Sequence, residues 1–357
     1  MKMSGSKPRK ALIIIGAVIA FLTTVILVGV LVFISYKDPY HKRVTEAGFF
    51  EKTAKIGAVS FNYAEGPDNG PALLLLHAQH MDWYSYSRVL PELSESFHVF
   101  AVDYHGHGKT DVPAEYMNAN QIGGDLAAFI ETVIGEPAFV AGNSSGGLLT
   151  VWLAANAPAL VKAIVLEDPP LFSSEYPRVK DTVAYRSFAH CHNYLESGEG
   201  DFLIYWLENS TAFFERYVGG NIAPLLTATI RLYRNGNSGK AVELLYLPVT
   251  VRLMIRGLDE YDPSFGAAFY DGNWNDGFDH AEALTRIACP ALLIHANFEI
   301  QENGILNGAM DQGEADRAAA LIPGVRYIKI DAEHVTHLDK PDQYIQIIEA
   351  FFLNEIT

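Results

Sequence analysis

A serine, a histidine and a carboxylate are the residues of this chain whose types and spacing could act together on a carbonyl group. The serine is Ser144, within the motif Gly-Asn-Ser-Ser-Gly-Gly at residues 142–147. The motif follows the apolar run Pro137–Ala141 and precedes a second apolar segment, 148–157, as expected for a sharp turn from a strand into a helix. Such a turn needs nearly side-chain-free residues two before and two after the serine, and glycines fill both places only with Ser144 at the apex. The pattern predicts Ser144 as an exposed nucleophile.

The predicted general base is a histidine near the carboxyl end of the chain. His334 follows the apolar run Val325–Ile330 and precedes a segment with helical periodicity, 342–352. Loops beyond strands often carry catalytic groups, and a base must come within hydrogen-bond reach of the nucleophile. His337 is the alternative, and His334 is favoured because it lies closer to the end of the predicted strand.

The acid that orients this histidine is predicted to be Glu299, just past the apolar run Ala291–Ala296. Two other carboxylates stay open for the role, Asp168 after the run Ala163–Glu167 and Glu302 in the next loop. Each could hold the imidazole in one tautomer and stabilise its protonated form.

The backbone amides of Gln79 and Ser145 are expected to bind the oxyanion that forms when a carbonyl is attacked. Fixed N–H donors aimed at a developing negative charge are a major source of catalysis. One donor belongs to the residue after the nucleophile, and the other to the loop after an earlier strand, here Pro71–His77. His77 is expected to support this loop through hydrogen bonds.

The elements that must position these residues alternate along most of the chain. Apolar runs interleaved with amphipathic segments are typical of a parallel sheet covered by helices on both faces. The predicted strands are Ala58–Ala64, Pro71–His77, His98–Asp103, Pro137–Asn143, Ala163–Glu167, Ala291–Ala296 and Val325–Ile330, and the predicted helices are Tyr84–Phe97, Ala119–Ile134, Leu148–Ala157, Glu314–Leu321 and Asp342–Phe352. Between Pro169 and about Ala288 the alternation stops, and an aromatic-rich, mostly helical insertion is predicted over the carboxyl edge of the sheet.

Together these residues resemble the α/β-hydrolase fold superfamily over about residues 52–357. The serine turn at 142–147 has the Gly-Asn-Ser-x-Gly-Gly form frequent among carbon–carbon-bond hydrolases and some esterases of that family. His-Ala-Gln at 77–79 resembles its oxyanion loop, and the segment 103–108 resembles its Asp-x-x-Gly-His-Gly turn. His334, followed by Asp-Lys-Pro, resembles its carboxyl-terminal motif.

The resemblance implies an architecture as well as a chemistry. It implies an α/β-hydrolase core at 44–169 and 281–357, with a helical cap at 170–280. It also implies catalysis without a cofactor. Spaced histidines around 77–80 and 105–107 superficially resemble metal ligands, but they lie on separate predicted loops, so no metal is expected.

The first 43 residues are predicted to form a membrane anchor. Residues 11–36 carry no charge and are rich in Ile, Val, Leu and Ala. At 1.5 Å per residue this run can cross a hydrocarbon core of roughly 30 Å. More positive charge precedes the run than follows it, which favours a single span with the catalytic domain outside the cytoplasm.

The charge of the chain restricts its partners. The formal net charge is −16, and so acidic a protein repels nucleic acid and anionic headgroups. Attachment to a lipid bilayer is therefore expected through residues 11–36. Cys191 and Cys289 are expected to be free thiols, and the sequence does not predict an oligomeric state.

These observations predict a membrane-anchored serine hydrolase that cleaves a carboxylic ester-type bond in a small apolar or lipid-derived substrate. The alternatives are cleavage of an amide, a lactone or a carbon–carbon bond by the same residues, and a non-catalytic ligand-binding protein. The non-catalytic, ligand-binding role remains open because fold does not fix function.

Overall fold

The centre of the molecule is an eight-stranded sheet, seen in a computed structural model that describes residues 7–198, 200–211, 214–215 and 219–355. The strands are β1 (Phe50–Ile56), β2 (Val59–Glu65), β3 (Ala72–Leu76), β4 (His98–Asp103), β5 (Ala138–Asn143), β6 (Val161–Glu167), β7 (Ala291–His295) and β10 (Arg326–Lys329), with a separate antiparallel pair, β8 (Glu299–Ile300) and β9 (Leu306–Asn307). The strand order is β1-β2-β4-β3-β5-β6-β7-β10. Only the pairs β1–β2 and β2–β4 are antiparallel, so the mostly parallel sheet predicted from the sequence is confirmed.

Helices connect these strands and cover both faces of the sheet. They are α1 (Lys7–Ser35), α2 (Tyr40–Glu46), α3 (Leu90–Leu93), α4 (Ala119–Phe129), α5 (Ser145–Asn156), α6 (Val183–Ser197), α7 (Phe202–Asn209), α8 (Ala223–Gly236), α9 (Val249–Asp259), α10 (Pro263–Asp271), α11 (His280–Thr285), α12 (Gln312–Leu321), α13 (Thr336–Asp339) and α14 (Pro341–Phe352).

Two hydrophobic cores lie on opposite faces of the sheet. Successive side chains of a strand point to opposite faces, and β3 follows this rule. Its Leu74 and Leu76 join one core, whereas Leu73 and Leu75 join the other. All four are fully buried, which explains why this strand is a continuous apolar run in the sequence.

One predicted element differs in the structure, and one strand was not predicted. The segment 84–97 was predicted as one helix, but it forms a 3₁₀ helix at Trp83–Arg88 and the short α3. Pro91 lies in the first turn of α3, where proline is tolerated because no backbone N–H is needed there. Strand β1 is an additional element that the sequence did not predict, since most of its residues are exposed and Lys52 interrupts the apolar face formed by Phe50, Ala54 and Ile56.

Helices α6 to α11 form an insertion between β6 and β7, as predicted. Aromatic rings pack inside it, for example Phe188 stacked on Phe269 at 4.9 Å and Phe269 on Trp274 at 4.4 Å. We call this insertion the cap. The domain boundaries at 169/170 and 280/281 stay predictions. Cys191 and Cys289 are both free thiols.

Helix α1 projects from the rest of the molecule. Its apolar side chains from Leu12 to Val32 are exposed, and by length and composition the helix could cross a membrane. The seven-residue helix α2 follows it and leads into β1.

Candidate active site

The turn between β5 and α5 holds Ser144 in a conformation that few residues adopt. Its φ is 55° and its ψ is −122°, and such backbone strain is concentrated at functional sites. A Cβ on Gly142 would lie 2.2 Å from the carbonyl oxygen of Gly146, and one on Gly146 would lie 2.2 Å from that of Leu76. The two glycines are therefore required by close backbone packing, and this packing lifts Ser144 above the end of β5.

His334 and Asp168 form a hydrogen-bonded pair at the same edge of the sheet. Nδ1 of His334 lies 2.6 Å from Oδ2 of Asp168. The carboxylate is buried, and its other oxygen accepts a hydrogen bond from the amide of Ala296 at 3.1 Å. Asp168 is thus fixed at both oxygens, and it presents one of them to the imidazole.

This pairing changes the basicity of His334. Burial disfavours the protonated ring, but the hydrogen bond and the negative charge of Asp168 outweigh it, with help from Glu167 and Glu333. The pKa of His334 is consequently raised above its ordinary value. With Nδ1–H donated to Asp168, Nε2 is left to accept a proton, which is the arrangement that a general base needs.

The prediction that Glu299 is the acid is corrected by this geometry. Glu299 lies in β8 and is exposed, while Asp168 occupies the position beside His334. Asp168 directly follows β6, the neighbour of the nucleophile strand β5. Asn297 lies two residues past the end of β7. Its amide cannot carry a negative charge, and it donates to Asp331 at 2.9 Å. The amide of Asn297 was the signal in the sequence that should have favoured Asp168 over Glu299. Glu302, the third candidate, is exposed in the turn between β8 and β9.

His337 has a different environment from His334. It is fully buried, and its Nδ1 lies 2.8 Å from Oε2 of Glu167. The backbone amide of His337 also donates to this carboxylate, at 2.9 Å. The pair ties α13 to the end of β6, one residue before Asp168, so it supports the loop that carries His334.

Gln79 and Ser145 line the same cavity as Ser144 and His334. Ser145 is the first residue of α5. The N–H groups in the first turn of a helix have no carbonyl one turn earlier to bind, so the Ser145 amide points out of the end of the helix. The side chain of Gln79 donates to the hydroxyl of Tyr261 in the cap, at 2.7 Å. Both residues predicted to supply oxyanion amides thus lie in the lining of the cavity that contains Ser144.

A hydrogen bond from His77 supports the loop that carries Gln79. His77 is buried, and burial lowers its pKa to about 3 despite its hydrogen bond to the carbonyl of Ala78. The neutral ring therefore donates from Nδ1 to that carbonyl, at 2.8 Å. In this loop the positive φ occurs at His80 (62°) rather than at Ala78, so an alanine is tolerated where related motifs have glycine.

The cavity over Ser144 is small and continues outwards. Its inner part measures about 80 Å³, and an outer part of about 410 Å³ shares Ala184, Gly308 and His334 with it. Cap residues such as Phe188 and Phe269 close the inner part, whereas Glu299 and Glu333 lie on the wall of the outer part. A substrate would therefore be enclosed at its reacting end and more open at its other end.

The histidines with metal-like spacing do not converge on one point. His105 Nε2 lies 2.9 Å from Asp125 Oδ2, and Nδ1 of His107 lies 2.9 Å from the carbonyl oxygen of His105. His77 is bonded within its own loop. Within the described ranges, no three potential metal ligands form a group.

Comparison with known proteins places this geometry in a family. The 2-(acetamidomethylene)succinate hydrolase of Mesorhizobium japonicum is 32% identical over 120 residues, which are 34% of this chain and only 43% of that protein. The pimeloyl-[acyl-carrier protein] methyl ester esterase of Nitrosospira multiformis is 25% identical over 301 residues, which are 83% of this chain and 99% of the esterase.

A solved structure of a bacterial membrane phospholipase A has the same fold, with a TM-score of 0.62 and 19% identity over 98% of this chain and 99% of that one. Relatives of this chain are hydrolases, as the sequence predicted. Because the model of the alpha/beta hydrolase family matches residues 73–347, this chain belongs to the alpha/beta hydrolase family.

Proposed function

We propose that this protein is a membrane-anchored serine hydrolase that cleaves a carboxylic ester-type bond through an acyl-enzyme. The observation that carries the proposal is the 2.6 Å contact between His334 and Asp168, with Ser144 at the strained turn of the same cavity. A serine, a base and an acid that orients the base are the parts that acyl transfer requires.

The first half of the reaction forms the acyl-enzyme. Ser144 Oγ attacks the substrate carbonyl while Nε2 of His334 takes its proton, and Asp168 stabilises the resulting imidazolium. The amides of Gln79 and Ser145 bind the oxyanion. When the tetrahedral intermediate collapses, the bond to the alcohol breaks and His334 returns the proton to the leaving oxygen.

The second half releases the acid. Water enters in place of the alcohol, His334 removes a proton from it, and the hydroxide attacks the Ser144 ester. Collapse of the second tetrahedral intermediate frees the carboxylic acid and restores the Ser144 hydroxyl with the proton from His334.

The cavity supports a short acyl group. Pockets that enclose drug-sized ligands measure roughly 300–1,000 Å³, whereas the part over Ser144 measures about 80 Å³. The rest of the substrate would occupy the outer part, beside Asn297 and Phe298. The mixed polar and apolar walls there suit an amphiphilic molecule.

Helix α1 would attach this enzyme to a membrane. Its 29 residues are about 43 Å long at 1.5 Å per residue, more than the roughly 30 Å of a hydrocarbon core. The positive charge before the uncharged run 11–36 favours an extracytoplasmic catalytic domain. The partner implied by the sequence is therefore the bilayer itself.

The proposal is tested with the full chain in detergent and a series of p-nitrophenyl esters from acetate to dodecanoate. We expect hydrolysis that is fastest for acyl chains of about two to four carbons, since the inner cavity is far below ordinary pocket volumes. Ser144→Ala should abolish hydrolysis, and Ser96→Ala, remote from the cavity beside Glu349, should retain it. Absence of hydrolysis by a folded wild-type protein across the whole series contradicts the ester assignment and favours another scissile bond or a binding role.

A further inference from the structure

The end of helix α1 is attached to the cap rather than joined to it by a free linker. The ring of Phe33 packs edge-on against Tyr233 and stacks on Tyr246, both at 6.2 Å. Ile34 lies against Gly236. These contacts fix the direction in which α1 leaves the cap.

Buried charges strengthen the attachment one turn later. Asp38 forms an ion pair with Arg252 of α9, and its backbone amide donates to Glu243 at 3.0 Å. Glu243 also contacts His41 at 2.5 Å and Arg256 at 3.2 Å. Breaking a buried ion pair leaves an uncompensated charge in a low-dielectric region, so this segment and the cap are expected to behave as one rigid unit.

An exposed apolar patch lies beside this attachment point. We call it the cap patch, and its members are Leu225 (56% exposed), Leu232 (40%), Leu245 (38%) and Tyr246 (41%). Leu225 and Leu232 are seven residues apart on α8, so they share one face of the helix. Tyr246 adjoins that face because its hydroxyl lies 2.7 Å from the Thr229 hydroxyl.

The position of the cap patch along α1 indicates what covers it. About 20 apolar residues are enough to cross a hydrocarbon core. The uncharged run from 11 to 36 is longer than this, so its last residues need not lie within the core. The membrane boundary can therefore lie at the level of Phe33 and Ile34, which are the residues that contact the cap. Clustered exposed apolar side chains mark interaction surfaces, and a tyrosine at this level suits the membrane–water interface.

We propose that the cap patch is a lipid-facing surface that inserts into the interface of the bilayer that α1 crosses. The inference rests on the proposed anchoring by α1, and it assigns a second membrane contact to the cap. Arg231, which precedes Leu232 on α8, is exposed, so it can meet lipid phosphates. The same cap covers Ser144, so the bilayer would contact the part of the protein that encloses the active site.

The test places a fluorophore on the patch of the full chain in phosphatidylcholine vesicles. The background is Cys289→Ser, because Cys191 is buried, and NBD is attached to Leu225→Cys or Leu232→Cys. The matched control is Leu195→Cys, a cap side chain of similar exposure (48%) that lines a groove with Glu115 and Asp271. Lipids carrying a doxyl quencher near the headgroup then report proximity to the interface.

We expect quenching at positions 225 and 232 to be at least about twofold stronger than at 195, since interfacial apolar residues sit roughly 5–10 Å into the headgroup boundary. Equal quenching at all three positions, in protein that floats with the vesicles, overturns the patch assignment but leaves the anchoring intact. Disulfide formation between Leu232→Cys residues of two copies, without lipid quenching, overturns it in favour of a second copy as the occupant. Protein that does not float with vesicles overturns the anchoring and, with it, this inference.

Discussion

Asp168 Oδ2 lies 2.6 Å from Nδ1 of His334, although 166 residues separate the two in the sequence. The relationship follows from the sheet, because Asp168 directly follows β6, the neighbour of β5, and His334 follows β10 at the same edge. Hydrogen bonds reach both oxygens of this buried carboxylate, and such partners are needed because burial of an unpaired polar group is costly.

Replacing Asp168 should remove the orientation of the base. In Asp168→Asn, the amide no longer favours the tautomer with a proton on Nδ1 and a free Nε2, so we expect kcat to fall about 10³–10⁴-fold. Glu299→Gln should keep kcat within about threefold, as expected for a group outside the triad. Steady-state ester hydrolysis measures both, and the reverse ranking would restore Glu299 as the acid.

The pH dependence should report the raised pKa of His334. The base must be neutral to accept the proton of Ser144, so kcat/KM should rise with pH through an inflection above the ordinary histidine value. Because Asp168 favours the protonated ring, Asp168→Asn should move the inflection of the residual activity to lower pH. A pH–rate profile that shifts upwards in this variant would show that Asp168 does not act on His334.

Gly142 and Gly146, the glycines two residues before and after Ser144, should be intolerant of a single methyl group. In Gly142→Ala the new Cβ would meet the carbonyl of Gly146 at 2.2 Å, so we expect a loss of about 1–3 kcal/mol of unfolding free energy, as for other overpacked sites. Gly124→Ala is the control, since that α4 glycine has open space around its Cβ position. The free energy of unfolding of Gly124→Ala should rise by about 0.5–1 kcal/mol, because alanine favours a helix more than glycine does. Similar denaturation curves for the two variants would contradict the close packing around Gly142.

The buried charges after α1 should matter for stability, whereas exposed charges nearby should not. Asp38→Ala leaves the Arg252 guanidinium without its carboxylate, and both side chains are largely buried. We expect a loss of about 3 kcal/mol, near the lower end of values for a broken buried pair. Glu46→Ala removes an exposed pair with Lys42 at 3.6 Å and should cost less than about 0.5 kcal/mol. Chemical unfolding of the full chain in detergent compares the two, and equal losses would contradict a buried network.

The local sequence was enough to predict the tight turn that carries Ser144 and most of the strands. The run before Ser144 and the glycines around it required a strand and a tight turn, and His98–Asp103 forms a strand with the predicted bounds. Strand β1 was not predictable because Lys52 interrupts its short apolar alternation and most of its side chains are exposed, and its place is set by pairing with β2. The partner of His334 was only partly predictable: the uncharged Asn297 after β7 favoured Asp168, but any carboxylate after a neighbouring strand satisfies the rest of the sequence pattern. The choice of Asp168 depends on the spacing of β6, β7 and β10 in the folded sheet.

The central claim is that Ser144 is activated by His334 and Asp168. Its most direct test is reaction of the full chain with a fluorophosphonate probe, followed by mass spectrometry of the labelled peptide. We expect one adduct on Ser144 in the wild type, no adduct in Ser144→Ala, and a rate of labelling in Asp168→Asn that is lower by about 10³-fold or more. A folded wild-type protein that does not react, or that is labelled on another residue, would contradict the account.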